Sequence, residues 1–478
     1  MNYRLIFNVL GLTLMLEAAC LILPMICAIY YGEAELWAFV IASAICLAAG
    51  SLLKCIRTKN HRMYAKEGFA MVSLSWIFMS LFGAIPFVIS GTIPNYIDAL
   101  FETVSGFTTT GATILRDVEV LPKSILFWRS FTHWIGGMGV LVFLVSLVKL
   151  SGGNNLYLLK AESTGPSVGK LVPKVQATAK ILYGIYTTLT VVELVLLLFG
   201  GMSFFEAITT AMGTAGTGGF GVRNSSIAGY SSYIQVVVTV FMLIFGVDFS
   251  IYYLILIRKF STAFRSEELR WYLGIVAVSI ILICINVVGT FQSVGEALKH
   301  SAFQVASIIT TTGFATDDFN LWPEFSKVIL VLLMFVGACA GSTGGGMKVS
   351  RILIATKTII KELKITAHPK STHKITINGR MVEHETIRSI NVYMIAYFVI
   401  FAASLLLISF DNFNFTANFT AVAATINNIG PGLDMVGPTG NFADFSGLSK
   451  IIFVLDMLVG RLEVFPMLIL FSPYTWKK

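Results

Sequence analysis

Ser105-Gly-Phe-Thr-Thr-Thr-Gly-Ala-Thr113 is the stretch around which the rest of this 478-residue chain arranges itself. It is short and polar, turns on Gly111, and lies between two apolar segments. Three further turns of this kind stand on Gly219, Gly313 and Gly430, at spacings of 108, 94 and 117 residues. Aligned on the glycine, they share a register. Two residues earlier stand Thr109, Thr217, Thr311 and Asn428, and six residues earlier the small Ser105, Gly213, Ser307 and Ala424. Self-similarity of this kind is read before any other feature, because it decides the fold.

Composition names the solvent. The chain is 56% hydrophobic and 13% charged, with a mean hydropathy of +0.79. Soluble domains sit near a quarter charged, so this is a polytopic membrane protein. A spanning helix needs about 20 apolar residues. Segments of that length run over 5–30, 36–56, 69–90, 125–148, 181–201, 232–257, 271–291, 325–356, 391–410 and 449–472. The first is too long for a signal-peptide core and lacks a small-residue cleavage site, so it reads as a helix.

If ten helices alternate, the basic loops fall on one side. Arg57, Lys59, Arg62 and Lys66 are there, then Lys149, Lys160, Lys170, Lys174 and Lys180. Arg258, Lys259, Arg265 and Arg270 follow, then eight Lys and Arg from Arg351 to Arg388, and finally Lys477 and Lys478. The positive-inside rule makes that side cytoplasmic, with both termini inside. The net charge of +8 is then a matter of topology and implies no nucleic acid. The opposite side holds all four turns with Glu33, Glu35, Asp317, Asp318, Asp434 and Asp444. Such charges either form an acidic mouth that concentrates cations or are ordinary solvated loop charges.

Between each outward and each inward helix lies a segment too short to span, exemplified by Asp98–Ala112 and His300–Phe314. Each reads as a helix of about three turns followed by irregular chain. Irregular backbone at membrane depth is tolerated only where protein buries it or a wet cavity adjoins it. A half-helix entering from outside points its negative end at the membrane centre, which favours a cation. Carbonyls leading into the glycine can replace an ion's hydration shell, and glycine lets the backbone approach. The expected cation ligands, mostly backbone carbonyls, are therefore Thr109, Thr110, Gly111, Thr217, Gly218, Gly219, Thr311, Thr312, Gly313, Asn428, Ile429 and Gly430. The second turn departs from the others in having Gly218 where the first and third have Thr110 and Thr312.

These motifs, with His133-Trp-Ile-Gly-Gly-Met-Gly139 and Gly337-Ala-Cys-Ala-Gly-Ser-Thr-Gly-Gly-Gly-Met-Lys348, resemble the Trk/Ktr/HKT superfamily of potassium transport proteins over essentially the whole chain. Two extra helices before the first repeat make it most similar to the bacterial Trk membrane subunit. The resemblance implies an all-α fold: two additional N-terminal helices over 1–66, then four parallel helix–hairpin–helix repeats around a pseudo-fourfold pore. The repeats would occupy 67–150, 151–260, 261–360 and 361–478. It further implies a homodimer in the bacterial inner membrane, a bound K+ with no organic cofactor, and a cytoplasmic ring of RCK-type nucleotide-binding (NAD or ATP) subunits. Glycine at all four filter positions goes with potassium in this superfamily.

The eighth helix is interrupted by Gly341-Ser342-Thr343-Gly344-Gly345-Gly346, ahead of Lys348. Glycine costs about 1 kcal/mol per residue in a helix, so the chain is expected to unwind there. The resemblance assigns the break as a gating loop. It is no phosphate loop, because Met347 and Val349 flank Lys348 where a Walker motif has Gly and Ser or Thr. Gly216-Thr-Gly-Gly-Phe-Gly221 matches a dinucleotide pattern by letter, but follows no strand. Arg461, near the middle of the last apolar segment, costs roughly 2.5–3.5 kcal/mol to insert and needs a wet cavity or a partner. The resemblance places it below the filter, beside the loop; an ion pair with Asp456 or Glu193 is the alternative. Six scattered cysteines and six unclustered histidines give no metal or disulfide pattern, and no nucleophile–base set suggests an enzyme. Channel-like conduction and symport with H+ or Na+ through Glu193, Asp248 or Asp456 both remain open at this point.

Overall fold

The structure, a computed structural model, describes residues 1–56, 64–139, 175–369 and 372–476. Several basic residues used for the topology (Arg57, Lys59, Arg62, Lys149, Lys160, Lys170, Lys174, Lys370, Lys477 and Lys478) lie outside the described residues, as does 140–148 of the fourth apolar segment.

Helices dominate the described residues, and the sole sheet among them is the hairpin Thr376–Ile377 with Arg380–Met381. Its turn, Asn378-Gly379, has φ of 50° and 75°, the positive pair that a tight two-residue hairpin requires. Six spans are long and apolar enough to cross a membrane: Tyr3–Tyr31, Leu36–Lys54, Ala65–Ile89, Ala177–Phe199, Glu267–Thr290 and His384–Asp411. The chain is a multi-pass membrane protein. The two N-terminal helices cross at glycines. A methyl group on Gly11 would lie 2.6 Å from the Gly50 carbonyl oxygen, and one on Gly50 2.8 Å from that of Gly11. Such small-residue crossings are how helices pack closely where the solvent is itself apolar.

After the N-terminal pair, one order of elements occurs four times: a long lead helix, a short helix, a turn and a trailing helix. The short helices are Tyr96–Phe107, Phe204–Gly216, Val294–Ile309 and Phe415–Ile426. Each begins on a side chain that accepts from its first-turn amides: Asn95 from Ile97, Ser203 from Glu206, Ser293 from Glu296 and Asn414 from Ala417. Those caps satisfy amides that otherwise have no partner at a helix start. The expectation of about three turns holds at 12, 13 and 12 residues, while the third helix runs to 16.

The expected ten spans included one break, in the eighth; the trailing helices show more. Only 13 to 15 residues precede each break or end: Lys123–Gly137, Ser232–Phe245, Glu324–Val336 and Gly447–Arg461. The second resumes as Phe249–Leu256 after a bend of 91°. Asp248 makes the bend by accepting from the Ser250 amide at 2.8 Å, which caps the new helix. The third breaks at Gly337, with φ of 72°, four residues before the glycine run, and resumes only at Val349. The fourth breaks after Arg461, where Glu463 and Val464 take φ of 58° and 66°. A β-branched residue with positive φ is an outlier, costing on the order of 1–3 kcal/mol, and such strain collects at functional sites. Arg461 therefore stands at a helix end, not in mid-helix.

Candidate functional site

The four turns have one backbone. Thr109, Thr217, Thr311 and Asn428 take φ of 57°, 54°, 58° and 55°, and the glycines two residues later take 79°, 77°, 81° and 97°. The amide of the residue between donates to the carbonyl five residues back in each case: Thr110 to Ser105, Gly218 to Gly213, Thr312 to Ser307 and Ile429 to Ala424, all at 2.8–2.9 Å. This is the six-to-one bond of a helix C-cap motif, and it satisfies helix-end carbonyls that would otherwise be orphaned. The small residue six before each glycine is thus the acceptor of the turn's closing bond.

The turns also meet one another. A methyl group on Gly111 would lie 2.0 Å from the Gly218 oxygen, and one on Gly219 2.0 Å from the Thr312 oxygen. One on Gly313 would lie 2.2 Å from the Ile429 oxygen, and one on Gly430 2.7 Å from the Thr110 oxygen. First meets second, second meets third, third meets fourth, and fourth meets first, so the contacts close a ring. Chain beyond the turns closes it again. Asn224 Nδ2 donates to Asp117 at 2.8 Å, the Ile227 amide to Ala315 at 3.0 Å, the Asp434 amide to Asn320 Oδ1 at 2.9 Å, and the Phe442 amide to Thr113 at 2.8 Å. The Asn224 amide group holds the exposed Asp117 carboxyl below the usual carboxylate range. All four glycines line one cavity of about 140 Å³.

That cavity decides against the acidic mouth. Its charged lining residues are Arg116, Arg129 and Arg223. The acidic side chains are spent on local structure. Asp444 pairs with Arg116, Asp317 accepts from Trp322 Nε1 at 2.6 Å, Asp318 caps Asn320, and Glu33 accepts from the amides of Lys123 and Ser124.

Behind the first turn lies a buried ion pair that the sequence did not reveal. Arg129 donates to Glu102 at 2.8 Å, and that carboxylate also accepts from the Thr113 hydroxyl at 3.0 Å and the Ile114 amide at 3.1 Å. A charged pair on two apolar helices was the available signal, but nothing in the sequence says that they face each other.

Directly against the ring sits the glycine loop. The Gly346 amide donates to Asn427 at 3.1 Å and the Gly345 amide to Thr311 Oγ1 at 2.6 Å, while Thr343 Oγ1 donates to Phe245 at 3.2 Å. A methyl group on Gly345 would meet the Asn427 oxygen at 2.4 Å. Buried Lys348 donates to the Gly344 carbonyl. Arg461 donates to the carbonyls of Thr343 at 2.8 Å, Gly137 at 2.8 Å and Gly136, joining the fourth trailing helix, the loop and the end of the first trailing helix. Asp456 accepts from Ser404 Oγ at 2.6 Å. Glu268 accepts from Ala340 at 2.7 Å and Ser350 at 3.2 Å, spanning the base of the loop. On the side away from the ring, Gly341, Ser342, Asp248, Glu268 and Arg461 line a second cavity of about 1260 Å³. The loop thus stands between two cavities, and the residues Gly341–Gly346, Lys348 and Arg461 come together as one unit.

Comparison with known proteins agrees with this geometry. The family described as TrkH, cation transport protein, matches residues 36–478. The Trk system potassium uptake protein TrkH of Salmonella typhimurium is 37% identical over the whole of both chains. The Trk system potassium uptake protein TrkG of Escherichia coli is 32% identical over 100% of this chain and 99% of its own. The crystal structure of the potassium transporter TrkH from Vibrio parahaemolyticus superposes with a TM-score of 0.89, covering all of both chains at 32% identity. This chain belongs to the TrkH family of cation transport proteins, and is a transporter rather than an enzyme.

Proposed function

We propose that this chain is a potassium-uptake membrane subunit in which the four turns are a K+ filter and the glycine loop is its gate. The observation that carries the reading is the closed ring of glycines and carbonyls, with one cavity opening on all four glycines and the loop on the other side. Carbonyls held in such a ring can replace the hydration shell of a monovalent cation. The short helices end at the ring, so their C-terminal partial charges also favour a cation there. The names of the relatives supply potassium as the cargo. Ligands would be the carbonyls at Thr109–Gly111, Thr217–Gly219, Thr311–Gly313 and Asn428–Gly430. A membrane voltage suffices as the driving force, at roughly 2.3 kcal/mol per charge per 100 mV.

The gate reading rests on Arg461 and Lys348, whose donors hold the loop across the path. Two N-terminal helices, 1–66, would flank four repeats in the boundaries given above. The chain would sit in the bacterial inner membrane as a homodimer with both termini cytoplasmic, under a ring of nucleotide-binding RCK-type subunits. The exposed Lys364, Lys374, Arg380 and Arg388 would supply a basic surface for that docking. The test is flux into liposomes containing the purified chain, with K+ or Na+ as the permeant cation. Potassium flux well above sodium, lost in Gly313→Ser, is expected. Flux only with a proton or sodium gradient, in fixed ratio to K+, would replace conduction by symport. Of the candidates Glu193, Asp248 and Asp456, Asp248 is the one that lines the larger cavity.

A further inference from the structure

The second turn differs from the first and third, and the difference leads to one side chain. In the first and third turns, the residues three and one before the glycine are threonines. Thr108 and Thr310 each donate to the carbonyl four residues back at 2.6 Å. Their oxygens lie 2.8 Å from those of Thr110 and Thr312, which therefore act as the donors within each pair. A short hydroxyl chain thus braces each turn from behind.

At the second turn both positions are glycine, Gly216 and Gly218, and His133 occupies the room. A methyl group on Gly218 would lie 2.3 Å from Cγ and Nδ1 of the His133 ring, and one on Gly216 2.3 Å from the His133 carbonyl oxygen. The ring is fully buried and stacks on Phe220, the residue after Gly219, with centroids 4.2 Å apart. Arg129 lies over the same ring, 4.1 Å from its centroid. Four residues apart on the helix Lys123–Gly137, Arg129 and His133 share a face and together grip Phe220. The Gly218 oxygen in turn faces Gly111 across the ring of turns.

We propose that His133 is a positioning residue for ion selectivity: its imidazole replaces the threonine brace of the first and third turns and fixes the Gly218 carbonyl beside Gly111. The proposal rests on the reading of the four turns as a filter. A carbonyl ring selects by where its oxygens stand, and a ligand is held only as well as the side chains packed behind it. Removing the imidazole leaves the Gly218 peptide free to shift, while the first and third turns keep their hydroxyl braces.

The experiment measures the K+/Na+ permeability ratio of the full chain in liposomes for wild type, His133→Ala, His133→Gln, Gly218→Ala and the double variant His133→Ala/Gly218→Ala. His133→Ala is expected to conduct with the ratio lowered by roughly threefold or more, the scale of coupling between residues in contact. Gly218→Ala is expected to harm selectivity more beside the imidazole than in its absence, so the double variant recovers part of the loss. Should His133→Ala yield no folded protein, His133→Gln carries the same comparison with an intermediate loss. An unchanged ratio in the His133 variants, or strictly additive effects with Gly218→Ala, overturns the proposal while the filter reading stands. A wild-type chain without preference for K+ removes the filter reading, and this proposal with it.

Discussion

The ring of turns and the loop against it are both glycine-rich, yet they are held in opposite ways. Each turn closes on itself through a backbone bond of 2.8–2.9 Å within its own short helix, and neighbouring turns add a second, backbone-assisted closure. The loop from Gly341 to Gly346 takes most of its fastenings from elsewhere: Thr311 and Asn427 in two turns, Phe245 at a helix end, Glu268 on a lead helix and Arg461 on another trailing helix. Its local ties are Lys348, just beyond it, and Ser342, which donates to the Cys339 carbonyl at 2.6 Å. A structure that supplies its own bonds is pre-organised and does not relax when a neighbour moves. A structure held by others is released when they move. Glycine serves each purpose differently: in the turns positive φ and close approach require it, and in the loop it prevents a helix from forming.

Four experiments would break or sharpen that contrast. The largest effect is expected from Glu102→Ala, which strands the buried Arg129 and leaves Thr113 and Ile114 without their acceptor. Breaking a buried pair on one side costs about 3–5 kcal/mol, so little folded protein should survive detergent extraction and size exclusion. Survival of the variant with an unaltered melting temperature would show that the ring does not depend on this pair. Next is Gly219→Ala, whose methyl group has the Thr312 oxygen at 2.0 Å and must displace it. Loss of more than about tenfold in the K+/Na+ ratio is expected, on the scale of 1.4 kcal/mol per decade. The corresponding change at Gly430, where the contact is 2.7 Å, should cost less; equal losses at both glycines would mean that strain in φ, not the contact, decides.

Arg461→Ala acts on the loop and spares the turns. It removes charged donors to Thr343, Gly136 and Gly137, each worth about 1.5–3 kcal/mol in a buried setting. Basal K+ flux should rise about tenfold with selectivity retained, a small fraction of the lost bonds appearing as gate opening. A fall in selectivity instead would tie Arg461 to the ring and dissolve the distinction drawn here. The smallest effect belongs to Thr310→Val, which deletes one hydroxyl of the third brace at a net cost of about 1 kcal/mol. The K+/Na+ ratio should drop about twofold, with basal flux through the loop unaltered. A rise in basal flux would indicate that brace and loop move together.

The four turns and the glycine run were legible as irregular segments, because a polar turn or a glycine run inside apolar sequence has few explanations. Other features were not. Asp317, Asp318, Asp434 and Asp444 looked like a cation-attracting mouth, but charge counted by side ignores hydrogen bonding, and each carboxylate is committed to a neighbouring amide, indole or guanidinium. Glu102 and Arg129, 27 residues apart, carry no periodicity that announces a pair. The breaks at Val247 and Val464 were hidden for another reason. Both lie in apolar stretches whose composition suits a continuous span, and the unwinding is imposed by partners such as Gly341, which accepts from the Phe249 amide.

The order of hydrophobic segments, the four glycine turns in register, the glycine run and the fold class are properties of the sequence alone, since hydrophobicity and backbone freedom are local. That the turns meet in the cyclic order first, second, third, fourth, that Arg461 ends on carbonyls of the loop and of the first trailing helix, and that His133 stands where two threonines stand elsewhere are decisions of the tertiary structure. They depend on contacts between residues up to 325 positions apart, which only packing can bring within a hydrogen bond.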